Sequence, residues 1–104
     1  MNDEETFSWI FLAIATTAEQ EAVNIGTISL VADGINHAVP TQKEIQRSIS
    51  WLISEGLIEK ANKKYKLSKL GKDEYFAASN NCNTMFGIWQ NLEYNFKNRL
   101  LLIN

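Results

Sequence analysis

Two groups of side chains in this sequence have the types and spacing for chemistry, and both lie between residues 41 and 72. Gln42, Lys43, Gln46, Arg47 and Ser50 recur at helical intervals, which puts them on one face of a helix over that stretch. Their amide, hydroxyl and guanidinium groups can hydrogen-bond base edges, and lysine and arginine can neutralise phosphates. Lys60, Lys63, Lys64 and Lys66 follow closely and are point charges suited to a phosphate backbone. Catalytic chemistry finds no comparable grouping. The one histidine, His37, and the one cysteine, Cys82, have no neighbours in sequence for a metal cluster or a nucleophile–base pair, and no glycine-rich phosphate loop occurs. The expectation is a protein that is not an enzyme and holds no metal or cofactor.

The charge is unevenly spread. Residues 41–72 carry eight lysines and arginines against three glutamates, while the rest of the chain has two basic residues against nine acids, so the net charge of −2 conceals a basic middle between acidic flanks. With 104 residues, 45% of them hydrophobic, the chain has the material for one packed domain spanning 1–104. Its longest clear apolar run, Trp9 to Ala15, falls well short of the roughly 20 residues that span a bilayer, and its first residues are acidic where a signal peptide would be basic. Those features predict a cytoplasmic protein with no membrane partner.

The elements that position the two groups can be read from periodicity. Phe7, Ile10, Phe11 and Ile14, behind the acids Asp3, Glu4 and Glu5, predict a first helix from about Glu4 to Gln20. Val23 to Gly26 is a short β-prone connection, and Thr27 to about His37 predicts a second helix with Ile28, Val31, Ala32 and Ile35 inward and Pro40 ending it. Thr41 followed by Glu44 is a capping-box pattern, so a third helix begins at Gln42. Its expected inner stripe is Ile45, Ile49, Leu52 and Ile53, and Gly56 suits its C-terminal cap. Leu57–Lys60 and Lys64–Leu67 predict a hairpin turning through Ala61, Asn62 and Lys63. Ser68 caps a fourth helix to about Ser79, with Leu70, Tyr75 and Phe76 as its inward residues. After an asparagine-rich loop, Met85, Ile88, Trp89, Leu92 and Phe96 predict a strongly amphipathic last helix over about 84–98.

This order, together with Ile45, Ile49, Leu52, Gly56, Leu57, Ile58, Tyr65, Leu67, Ser68 and Gly71, resembles bacterial winged helix-turn-helix transcriptional regulators over about residues 4–79. The stretch ADGINHAVPTQKE, from Ala32 to Glu44, is also similar to small bacterial winged-helix proteins. The resemblance implies an α+β, mainly helical fold of about five helices plus a short β-hairpin wing. It implies that the third helix enters the major groove through Gln42, Lys43, Gln46, Arg47 and Ser50, while Lys60, Lys63, Lys64 and Lys66 on the wing hold the DNA backbone. Winged-helix domains that bind proteins instead are the alternative.

Plainer explanations stand beside these. Any exposed helix is polar, and lysines protect the edges of short hairpins against aggregation. The cap accounts for Glu44, the dipole of the preceding helix accounts for His37, and Trp51 packs under the hairpin or against the last helix. The apolar stripe of the last helix and the wide girdle of the first need cover. Either they cover each other, or Trp9, Phe11, Met85, Ile88, Trp89, Leu92 and Phe96 meet their counterparts in a homodimer, which is the favoured expectation.

Overall fold

Acids at the head of an apolar run start the chain's central element. In the computed structural model, which describes residues 1–17 and 21–102, helix α1 spans Asp3–Thr17, and every residue from Thr6 to Ala15 is buried. The expected continuation through Ala18 to Gln20 lies outside the described residues. A helix apolar all round must be covered all round, and α1 is packed by the second, third and last helices. Its buried hydroxyls are satisfied locally, Thr6 donating to the Asn2 carbonyl and Ser8 to the carbonyls of Glu4 and Glu5.

Helix α2 spans Ile25–Asn36. It begins two residues earlier than its apolar stripe suggests, because the Asn24 side chain accepts from the Thr27 N–H at 2.9 Å. His37, at φ 55°, ends it by donating its backbone N–H to the Asp33 carbonyl at 2.7 Å. Helix α3, Gln42–Ser54, follows after a turn containing the buried Pro40. Gly56, at φ 73°, turns the chain out of α3 and into an antiparallel pair, β1 (Ile58–Ala61) and β2 (Lys64–Leu67). Val23 adds one further rung, exchanging two 2.8 Å hydrogen bonds with Tyr65 on β2.

Helix α4, Lys69–Ser79, is capped by Ser68 as its sequence suggests, and of its three expected inward residues only Tyr75 packs, partly buried, against the core. Leu70 and Phe76 are 46% and 75% exposed, and Gly71 and Ala78 face the core instead. The cause is distance: a Cβ on Gly71 would lie 1.9 Å from the Leu57 carbonyl oxygen, so α4 sits too close to the chain beneath it for a large side chain.

Helix α5, Met85–Leu102, extends past the expected end at Asn98. It folds back along α1, and aromatic rings join the two: Phe11 meets Phe96 edge-on at 5.3 Å, and Trp9 stacks on Trp89 at 6.3 Å. Trp51 of α3 completes the cluster, 5.0 Å from Phe7 and 5.1 Å from Phe96, which places it against the last helix. The indole N–H groups of Trp9 and Trp89 donate to the Ala32 carbonyl at 2.8 Å and to Ser8 Oγ at 3.0 Å. This arrangement corrects the expected contact with a second chain. Trp9, Phe11, Ile88, Trp89, Leu92 and Phe96 are buried inside one chain, and only Met85 of that group keeps an exposed surface. Among the described residues the architecture is mainly helical, five helices with a two-stranded antiparallel hairpin. No helix among the described residues is long and apolar enough to cross a membrane.

Candidate nucleic-acid interface

The capping box that starts α3 is complete. Thr41 Oγ1 accepts from the Glu44 N–H at 3.0 Å, and Glu44 Oε1 accepts from the Thr41 N–H at 2.8 Å. Glu44 is thereby occupied by the helix start. The stripe that holds α3 to the core is Ile45, Ser48, Ile49 and Leu52, an i, i+3, i+4, i+7 set. Ser48 takes the place expected of Ile53, its hydroxyl donating to the Glu44 carbonyl at 2.7 Å. Ile53 itself is 42% exposed, because the helical period rotates position 53 onto the outward side.

With that stripe inward, Gln42, Lys43, Gln46, Arg47 and Ser50 are all exposed. They do not share one situation. Arg47 leans toward α1, where its Nη2 donates to both carboxylate oxygens of Asp3 at 3.0 and 3.2 Å, and its guanidinium lies 5.9 Å from the centre of the Phe7 ring. Gln46 and Ser50 point the other way. They line an open groove of about 360 Å³ between α3 and the hairpin, together with Ile25, Ile49, Ile53, Lys60 and Tyr65.

The strand register sorts the lysines. Ile58 pairs with Leu67 and Lys60 with Tyr65, whereas Glu59 pairs with Lys66 and Ala61 with Lys64. Since directly opposed residues share a face, Lys60 stands on the side of Tyr65 and the groove, its Nζ 6.0 Å from the Tyr65 ring centre. Lys64 and Lys66 stand on the opposite side with Glu59, and Lys63 lies in the turn beside Asn62, whose φ is 53°. All four lysines are exposed, and among the described residues none of them has a carboxylate at salt-bridge distance.

The structure therefore joins Gln46, Ser50 and Lys60 around one groove, keeps Gln42 and Lys43 exposed at the start of α3, and draws Arg47 aside. Three contributors were not foreseen. Tyr65 alternates with Lys64 and Lys66 along its strand, but its neighbours in the groove come from pairings that the strand alone does not specify, with Val23 on one side and Lys60 on the other. Ile25 enters because Asn24 caps α2, a signal present in the sequence. Asp3 is 44 residues from Arg47, and nothing local announces their contact. Among the described residues, no group of three or more His, Cys, Asp or Glu side chains could hold a metal ion. Set against protein-family models, curated proteins and solved structures, the chain matches none of them.

Proposed function

We propose that this chain is a DNA-binding winged helix-turn-helix module of a transcriptional regulator. In this reading α3 lies in the major groove and the hairpin is a wing on the backbone. The observation that carries it is the outward face of α3: Gln42, Lys43, Gln46 and Ser50 are exposed, donor-rich and free of any role in capping or packing. The groove supports it by setting Lys60 across from Gln46 and Ser50, so that one surface offers a phosphate contact beside two groups able to read base edges. Lys63 at the turn is the residue best placed to reach the neighbouring backbone.

The test is titration onto mixed-sequence duplex DNA at about 50 mM and about 200 mM salt. Binding is expected at the lower salt, weaker at the higher, and weaker again with a shallower salt slope in the Lys60→Ala, Lys63→Ala variant. No measurable binding at the lower salt would overturn the proposal. A second reading, a winged-helix module that associates with protein, is favoured by one observation: the apolar side chains that α5 leaves in solvent.

A further inference from the structure

The outward face of α3 is divided into two rows. Gln42, Gln46 and Ser50 follow one another at intervals of four, and Lys43 and Arg47 do the same about 100° further round the helix. Arg47 bonds to Asp3 of α1, so the cationic row is on the α1 side. Gln46 and Ser50 line the groove that Lys60 enters from the hairpin, so the amide row is on the hairpin side. Two amides and a hydroxyl therefore lie between cations, with Lys43 and Arg47 to one side and Lys60 to the other. Among the described residues the side-chain hydrogen bonds of α3 are those of Glu44, Arg47, Ser48 and Ser54, which leaves both amides and the Ser50 hydroxyl open to a ligand. Cations at both margins and neutral hydrogen-bonding groups between them complement a duplex groove, which has phosphates along its rims and base edges on its floor.

The chemistry of the middle row narrows the base. A primary amide offers a donor and an acceptor side by side. Adenine presents the complement in the major groove, its N7 acceptor beside its N6 donor, whereas guanine presents two acceptors and would set O6 against the amide oxygen. The side chain best matched to guanine is arginine, and the one arginine of α3 stands in the marginal row with its guanidinium on the Asp3 carboxylate at 3.0 and 3.2 Å. A glutamate could accept from the cytosine amino group, but the Glu44 carboxylate is held in the capping box. Gln42 and Gln46 are one helical turn apart, about 6 Å along the axis. Base pairs step by about 3.4 Å, so the two amides are separated by about two steps.

Resting on the DNA-binding reading, we propose that α3 selects adenine: Gln42 and Gln46 each hold the N6 and N7 edge of one adenine, about two base pairs apart, while Lys43 and Lys60 take phosphates at the two sides of the groove. Selection of the full chain on a library of randomised duplexes at about 50 mM salt, followed by titration of the selected site, tests it. Enrichment of A·T at two positions with that spacing is expected, and exchange to G·C at either should weaken binding about fivefold to a hundredfold. Gln46→Ala should erase the preference at one position and keep it at the other. Gln46→Arg should turn the same position from adenine to guanine. Gln46 is exposed, so both variants are expected to keep the far-ultraviolet circular dichroism of the wild type. Equal binding of all duplexes, selection of G·C at both positions, or an unaltered preference in Gln46→Ala would overturn the adenine assignment and leave DNA binding standing. Absence of binding to every duplex would overturn both.

Discussion

Arg47 is the one guanidinium on the outward face of α3, and the fold has already given it a carboxylate. The pair with Asp3 is half exposed, with side-chain exposures of 54% and 47%, so its worth is that of a surface ion pair. If Arg47 is to meet a phosphate, Asp3 competes with that phosphate. Asp3→Asn is therefore expected to tighten duplex DNA binding by about twofold to fivefold at low salt, and to do nothing in an Arg47→Ala background. Fluorescence anisotropy of the four proteins measures this directly. The identities of both residues are in the sequence, but their meeting is not, because α1 and α3 are brought together only by the core beneath them.

Helix α3 shows how far an apolar pattern can be trusted. Its start was legible in Thr41 and Glu44, since a capping box closes within four residues. Its end was legible in Gly56, which adopts the positive φ that its position suggested. Of the four apolar residues expected inward, three are buried and Ile53 is not, because a helix buries a stripe of fixed width and Ser48 lies nearer its centre. Leu52→Ala should cost about 2–5 kcal/mol by leaving a cavity, whereas Ile53→Ser should change stability by no more than about 0.5 kcal/mol. Urea denaturation of the two variants distinguishes them, and similar losses from both would refute the assigned face. Helix α4 departs from its pattern for a related reason. Close approach to Leu57 selects the small Gly71, and hydrophobicity alone gave no sign of that distance.

Charge is arranged across the fold as well as along the chain. The basic middle does not make one surface: Lys60 faces the groove, Lys64 and Lys66 face away from it, and Asp3 sits beside α3. Arg99 ties three elements together, donating to Glu74 of α4 at 2.8 Å and to Glu55 at the end of α3 at 3.1 Å. Burial works against its charge, but those two carboxylates outweigh it and hold the guanidinium above its usual basicity. Glu93 is the opposite case. Burial, then Glu5 and Glu4, raise its carboxyl above the ordinary value, so its ionised form is disfavoured in the folded state. Its favourable contribution is full below the ordinary carboxylate range and is lost as pH rises through the raised value. In dilute solution Glu93→Gln should match the wild type at about pH 4 and be the more stable at about pH 7. Thermal melts at the two values test the sign, and a less stable variant at the higher pH would contradict it.

What the sequence by itself determined is whatever closes over a few residues: the caps at Thr41 and Ser68, the turn at Gly56, the hairpin alternation and the amphipathic stripe of α5. These depend on hydrogen bonds and periodicities that a short segment satisfies alone. The tertiary structure alone decided which of two covers the apolar girdle of α1 receives. The first and last helices lie at opposite ends of the chain, and the sequence left open whether their stripes met each other or those of a second copy. Packing placed Trp9, Phe11, Leu92 and Phe96 inside one core. Apolar surface is non-directional and takes the nearest cover the backbone can bring, so the stripe read as an interface became core, and the outer row of Phe86, Tyr94 and Leu101 was left to solvent.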